Sequence, residues 1–194
     1  MGFGGVTMTM IAGRAQLSKQ IAVYHFKSTE EILLELVNLW GEIGRQVTVE
    51  HLASLFTADP TDKLVGMSDG MFIFLKRYPA FGKLTPVIFQ AAQHFKAVAK
   101  IHDKTLHIGR ERIRSFLKAS SQYSKASEKE LNGSVLGIHC LMYGAILYVI
   151  ANNAWEETEQ LRLATNSSIR SMVMGRDATK RIGHSSPTFV QVSK

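Results

Sequence analysis

The sequence predicts an all-α protein, and three observations carry that prediction. Apolar residues recur at three- and four-residue spacing along most of the 194-residue chain. Several of these stretches begin with serine or threonine, and one begins with threonine followed by proline. These residues are typical of helix N-termini. Runs suited to β-strands are nearly absent. We predict two packed helical subdomains with a central apolar helix in the second: residues 1–102, a linker at 103–109, and residues 110–194, which end in a polar tail.

The first half of the chain contains four predicted helices. One begins at a capping box, with Ser28 as N-cap and Glu31 three residues later. Thr48 is the predicted N-cap of the next. A third ends at Pro79, because proline disfavours the α-conformation in the residue before it. Thr85 followed by Pro86 predicts the start of the fourth, with proline at its first position.

The second half contains three more predicted helices. "GRERIRSFLKASS" follows the predicted linker and forms the first of them. Ser127 and Glu130 then form a second capping box, which begins a long apolar helix. "EETEQLRLATNSSIRSMVM" predicts the last helix, and the polar tail follows it.

The apolar helix allows two interpretations. Residues 133–151 contain no Asp, Glu, Lys or Arg, and about 20 such residues suffice to cross a bilayer. One face carries only small residues, at Gly133, Gly137, Cys140 and Gly144, so another helix could approach closely in a membrane or in a bundle. A helix that is apolar all round is also typical of the centre of a helical domain. We favour the buried axis over the membrane span.

Residue patterns typical of catalysis or metal binding receive little support. "GMSDG" at residues 66–70 matches a nucleophile elbow, but that motif requires a strand before the serine, and the sequence predicts none. We therefore expect Ser68 or Asp69 to cap the following helix. Cys140 is the single cysteine, which disfavours disulfides and a structural zinc site. The chain is predicted not to be an enzyme.

The net charge of +7 is unevenly distributed. Residues 1–29 carry +3 and contain no acid, a feature of transit peptides, whereas residues 30–75 carry −6. Residues 76–129 contain twelve Lys or Arg against three acids. Such a local excess predicts a polyanionic partner, either nucleic acid or an anionic membrane surface.

Two basic trios with four-residue spacing lie within this segment, and each would occupy one face of a helix. Aromatic residues interleave poorly with them, so the pattern indicates phosphate binding rather than base stacking. The candidate membrane- or phosphate-binding residues are Lys76, Arg77, Lys83, Lys96, Lys100, Lys104, Arg110, Arg112, Arg114 and Lys118.

Two stretches resemble the influenza-type matrix proteins of orthomyxoviruses. "FLKRYPAFGKLTPVI", residues 74–88, is similar to a family stretch with the pattern aromatic-L-K-x-x-P-x-x-x-x-L-T-x-x-I. "KELNGSVLGIHCLMYGAILY", residues 129–148, is similar to the family's central apolar helix. The clear similarity covers about 75 residues and implies two helical subdomains, with the apolar helix inside the second.

The resemblance also implies a function. It predicts a non-enzymatic matrix protein that polymerises under a viral envelope, with anionic membrane lipid, viral ribonucleoprotein or RNA, and the tails of envelope glycoproteins as partners. The Cys and His set proposed to bind zinc in influenza is missing here, so we predict no metal and no cofactor. The expected locations are the inner face of the envelope and the host cytoplasm, plasma membrane and nucleus.

Two alternatives use the same residues differently. An RNA-binding, nucleoprotein-like protein would use the basic trios on RNA phosphates, and a single-span membrane protein would use the apolar helix. Within the matrix interpretation, His94, His102 and His107 are candidate pH sensors, because histidine gains its charge near pH 6.5. Acid would then weaken contacts between copies without releasing the protein from lipid.

Overall fold

The computed structural model describes residues 5–175, and these residues confirm the predicted all-α class. They form eight α-helices and one turn of 3-10 helix. The α-helices are α1 (Met8–Arg14), α2 (Lys19–His25), α3 (Thr29–Ala53), α4 (Pro60–Arg77), α5 (Pro79–Ala92), α6 (Lys96–Ala119), α7 (Glu128–Ala151) and α8 (Thr158–Met174), and the 3-10 turn is Ser121–Tyr123. The predicted polar tail lies outside the described residues.

Side-chain caps explain where several helices begin. The Ser28 hydroxyl accepts a hydrogen bond from the Glu31 amide and begins α3, as predicted. The predicted capping box of Ser127 and Glu130 is present at the start of α7. Asp59 caps α4 by accepting bonds from two backbone amides, and Pro60 follows at the first helical position.

Four predicted boundaries differ from the structure. Thr48 lies inside α3, where its hydroxyl bonds to the carbonyl of Gly44 four residues earlier instead of capping a new helix. Pro86 lies inside α5, because that helix already begins at Pro79, directly after α4 ends. Ser68 lies in the middle of α4. The predicted linker, residues 103–109, is helical and lies within α6.

The helix α4 is the centre of the packing. It contacts α3, α5, α6, α7 and α8, and ten of its residues are buried. One core cluster joins α4 to α6, α7 and α8 around Ile113, Ile138 and Ile169, all fully buried. A second cluster joins the middle of α3 to α4, α5 and α6 around Val37 and Ile88. Where the chain divides into subdomains stays a prediction.

The motif "GMSDG" lies where α4 crosses α3 closely. A Cβ on Gly70 would lie 2.9 Å from Thr48 Cα of α3, which is closer than side-chain carbons approach a backbone. A Cβ on Gly66 would overlap the side chain of Leu55. The two glycines therefore let α4 lie directly against α3, and Ser68 between them is fully buried.

The helix α7 is apolar on both its buried and its exposed faces. Its inner face contributes Leu131, Val135, Ile138, Met142 and Val149 to the core. Its outer face, Leu136, Cys140, Gly144 and Tyr148 at four-residue spacing, is exposed. Among the described helices, α7 alone has the length and apolar composition of a membrane span. The same composition also suits a helix with one face in the core and the other against a partner.

We expect Gly70→Ala to destabilise the protein by about 1 to 3 kcal/mol, because the added methyl group would force α3 and α4 apart. Urea denaturation measures the change in the free energy of unfolding. The control is Gly44→Ala in α3, where a Cβ would meet nothing within 4 Å. That substitution should stabilise the helix by about 0.5 to 1 kcal/mol. Equal effects of the two variants would contradict the close crossing.

Candidate functional site

The helices α1 and α2 form a helix-turn-helix unit. Each has seven residues, and four residues, 15–18, connect them. Thr7 caps α1 and Ser18 caps α2, each through its hydroxyl. Gln16 occupies the left-handed region with φ of 57°, which lets the chain reverse direction between the helices. The size and turn length match the helix-turn-helix motif of DNA-binding proteins.

The exposed surface of α2 contains no acid and combines polar and basic residues with the apolar Ile21 and Val23. Tyr24 is 85% exposed, and Lys19, Gln20 and His25 are exposed as well. The buried residues of the unit are alanines, Ala12 in α1 and Ala22 in α2, so the two short helices can pack closely. A protruding helix without negative charge suits contact with a polyanion.

Sequence analysis missed this unit. We interpreted the acid-free residues 1–29 as a feature of transit peptides, because each helix is too short for apolar periodicity to stand out. Two signals were available in the sequence. Thr7 and Ser18 precede short stretches that begin with good helix formers, and "RAQLS" supplies polar residues for a turn.

A cavity of about 340 Å³ lies among α3, α4, α5, α6 and α7. Its apolar wall includes Trp40, Met67, Met71, Phe74 and Met142. Its volume is typical of small-molecule sites, and polar side chains line the rest of it. Within residues 5–175, no group of three His, Cys, Asp or Glu side chains could hold a metal ion.

His139 of α7 brings an unsatisfied polar atom to this cavity. Its Nε2 atom is buried and has no hydrogen-bond partner among the described residues. Burial, with smaller contributions from Arg110 and His102, lowers the pKa of His139 from 6.5 to about 4. The imidazole is therefore neutral at pH 7. Tyr143 lies beside it, with ring centroids 4.7 Å apart, and burial raises the pKa of Tyr143 to about 12.

The charged groups lining the cavity are mainly cationic. Arg45, Lys104 and Arg112 line it, and Glu42 is the one acid among the lining residues. Glu42 pairs with Arg45 one turn along α3. Arg112 is half-buried and makes no ion pair or side-chain hydrogen bond within the described part of the chain. Burial, and then the charge of Arg45, lower the pKa of Arg112.

The helix α3 connects the cavity to the helix-turn-helix unit. Three residues separate it from α2, and its lining residues, between Asn38 and Thr48, lie in its middle. At 1.5 Å per residue, Trp40 lies about 17 Å along the helix axis from Thr29. One continuous helix therefore extends from the cavity to the residues that follow the helix-turn-helix unit.

The predicted basic residues lie on three helices, and several of them pair with acids. Arg114 and Lys118 pair with Glu128 of α7, and Arg77 pairs with Glu50 of α3. Lys104 and Arg112 line the cavity. The others are distributed over three helices: Lys76 on α4, Lys83 on α5, where it lies 5.7 Å from the Trp155 ring, and Lys96, Lys100 and Arg110 on α6. Their binding to an anionic membrane stays a prediction.

The three candidate pH sensors occupy different environments. His94 and His107 are exposed. His102 is buried, its ring packs edge-on against Phe89 at 4.6 Å, and burial lowers its pKa. Sequence analysis did not select His139, whose pKa is shifted further, because a lone histidine in an apolar helix carries no signal of its own.

Two solved structures have the same fold. A transcriptional regulator from Rhodococcus sp. Rha1 superposes with a TM-score of 0.70 at 17% identity, over 89% of this chain and 87% of its own. A candidate transcriptional regulator from Pseudomonas aeruginosa PAO1 gives 0.70 at 16% identity, over 93% and 85%. Neither a protein-family model nor a curated protein matches the chain. At these identities the similarity establishes the fold.

These comparisons correct our functional prediction. The predicted membership of the influenza-type matrix family, the polymerising coat and the virion-related function are wrong, because the structures that share the fold over about nine tenths of the chain are bacterial regulators. The RNA-binding alternative receives no support from them either. The motif in residues 74–88 misled us because its pattern reflects a junction between two helices. The helix α4 ends in Lys76 and Arg77, and α5 begins at Pro79.

We expect acid to destabilise the protein through His139. Because folding lowers its pKa from 6.5 to about 4, the unfolded chain binds more protons between those values, and the free energy of unfolding falls as the pH drops through this window. The loss attributable to His139 should be on the order of 2 to 3 kcal/mol. Urea denaturation at pH 7 and pH 4 should therefore show that the free energy of unfolding falls less for His139→Gln than for the wild type. A control variant at the exposed His107, His107→Gln, should match the wild type.

Proposed function

We propose that the protein is a DNA-binding transcriptional regulator that responds to a small molecule. The observation that carries the proposal is the acid-free helix-turn-helix unit, joined by one continuous helix, α3, to a cavity whose lining includes the unpartnered side chains of Arg112 and His139. The regulators that share the fold support the same assignment.

In this proposal α2 enters the major groove. The second helix of a helix-turn-helix unit contacts base edges with its N-terminal residues. Lys19 and Gln20 occupy that end of α2 and are exposed, and Tyr24 follows about one turn later. Lys27, exposed just beyond α2, is placed for a phosphate contact. Both lysines would release counterions on binding, so affinity should fall as salt rises.

The outer faces of α7 and α8 form the proposed dimer interface. Six residues connect the two helices, which pack against each other. Leu136 and Tyr148 of α7 and Leu163 and Met174 of α8 are large, apolar and exposed, and Gly144 leaves room for a second backbone to approach. Helix-turn-helix proteins bind paired half-sites as two-fold dimers, so a second copy of this chain is the fitting partner.

A ligand would regulate DNA binding through α3. A molecule in the cavity would contact the middle of α3, while the first turn of α3 follows the helix-turn-helix unit after a connection of three residues. Binding that favours one position of α3 would change the distance between the two α2 helices of a dimer. Since half-sites lie about one DNA turn apart, such a change would alter affinity for DNA.

We expect the protein to select a two-fold symmetric duplex from a pool of random-sequence DNA. Lys19→Glu together with Lys27→Glu should then weaken binding to that duplex at least about 100-fold, because two phosphate attractions become repulsions. Fluorescence anisotropy at fixed salt measures the affinity.

The matched control for that experiment is Lys125→Glu together with Lys129→Glu, which changes the charge equally at exposed positions far along the chain from α2. The control should bind DNA with affinity close to that of the wild type. Equal losses for both double variants would mean that general charge, and not α2, determines binding. Failure to select any duplex would contradict the proposed function.

We expect the wild type to sediment as a dimer. Leu136→Glu together with Leu163→Glu should give a folded monomer, because four charges would be buried in the dimer interface. The control is Phe56→Glu, since Phe56 is 83% exposed on the connection between α3 and α4 and belongs to neither α7 nor α8. Sedimentation velocity distinguishes the masses, and circular dichroism verifies the helical content. A wild-type monomer, or a dimer that survives the double substitution, would contradict this interface.

A further inference from the structure

We propose that the cavity binds an organic acid with an apolar body and a single carboxylate, and that Arg112 receives the carboxylate. The inference rests on the proposed function, in which this cavity is the regulatory site, and it names the chemical class of the ligand.

Arg112 is the strongest indication of charge. A guanidinium presents five N–H donors in a planar fork that matches the two oxygens of a carboxylate. The arginines of α3, α4 and α8, together with Arg114, pair with nearby acids. Arg112 lines the cavity, is half-buried and has no such partner within residues 5–175. A half-buried charge without a partner is unfavourable, and an anionic ligand would supply the missing acceptor.

The surrounding charges exclude the opposite class of ligand. Lys104 and Arg45 also line the cavity, and the single lining acid, Glu42, is already paired with Arg45. A cationic ligand would meet net repulsion here. A neutral ligand would leave Arg112 without a negatively charged acceptor.

His139 supplies a second polar contact on the same side of the cavity. Gly109 and Arg112 lie three residues apart on α6 and therefore face the same way. A Cβ on Gly109 would lie 3.6 Å from His139 Nε2, so this unpartnered nitrogen faces the same stretch of α6. The neutral imidazole can form one hydrogen bond with the ligand, and it adds no charge to the cavity.

The remaining wall defines the body of the ligand. Met67, Met71, Phe74, Met142 and Ile146 present apolar surface, and the three methionine side chains can adapt to different shapes. At about 30 Å³ for each water-sized unit, a cavity of about 340 Å³ holds on the order of ten non-hydrogen atoms or slightly more. Medium-chain and aryl-alkyl carboxylic acids have this size.

The test compares ligands that share one body and differ in the polar group. 4-Phenylbutanoate, 4-phenylbutan-1-ol and 4-phenylbutylamine are titrated into the full-length protein without DNA, by calorimetry, and decanoate is titrated as a second acid. We expect at least one acid to bind, and 4-phenylbutanoate to bind at least about tenfold more tightly than the alcohol, because charge-assisted hydrogen bonds are the stronger ones. The amine should bind most weakly.

Arg112→Gln should remove the preference for the acid while leaving binding of the alcohol unchanged. The control Arg77→Gln removes an exposed arginine that lies outside the cavity, and it should keep the preference. Gly109→Val, which places bulk in front of His139, should weaken all of the ligands together. Circular dichroism and urea denaturation establish that each variant is folded.

The outcomes separate this inference from the proposed function. If neither acid binds, if the alcohol binds as tightly as the acid, or if Arg112→Gln retains the preference, the inference is overturned, whether or not the protein binds DNA. If the acid binds through Arg112 but leaves the affinity for DNA unchanged, the ligand class stands and the proposed regulation fails.

Discussion

The helices α3 and α4 touch at backbone distance where Gly70 faces Thr48, and the remaining architecture follows from that contact. The crossing holds the middle of α3 against the central helix, so its lining residue Trp40 is buried beside a cavity. Thr48 supports the contact from its own side, because its buried hydroxyl donates a hydrogen bond to the carbonyl of Gly44. The cavity therefore has one wall whose position is tightly constrained.

A network of charged side chains anchors α8 to the same central helix. Asp69 accepts hydrogen bonds of 2.6 Å from both Arg162 and Asn166, and Arg170 pairs with Asp62 at 2.6 Å two turns nearer the start of α4. Asp69 is largely buried, so loss of its partners would leave an uncompensated charge. Because α8 also packs on α7, this network helps to determine the position of the exposed apolar face of α8 relative to that of α7.

Sequence reasoning located most of the helices because local signals define their ends. The N-cap at Ser28 and the capping box at Ser127 act within four residues, so no tertiary information is needed to find them. Thr48 and Pro86 misled us because a polar residue or a proline can also lie inside a helix when tertiary packing outweighs local preference. Patterns set by helix ends and apolar faces recur among unrelated helical proteins, which is why a resemblance over 75 residues indicated the wrong family.

The candidate sites were harder to predict, for two physical reasons. The cavity collects residues from five helices, and neither His139 nor Arg112 has a neighbour in sequence that marks it as part of a site. Arg112 was selected, but as part of a basic helix face, since the sequence does not show which cation lacks an acid in three dimensions. The helix-turn-helix unit is local, yet its two helices are shorter than the span over which apolar periodicity is recognised.

The brevity of α1 and α2 has a consequence for local stability. Helices of seven residues are unstable in isolation, because the few hydrogen bonds formed scarcely offset the entropy of ordering the first turn. These two pack mainly against each other, with only alanines buried, so little apolar area holds them to the body. Amide hydrogens in this part of the chain will exchange with solvent far faster than those of α4 or α7, through local opening that leaves the core intact. Binding to a DNA duplex would slow that exchange. Part of the binding free energy would then offset the entropy lost when the helix-turn-helix unit becomes ordered.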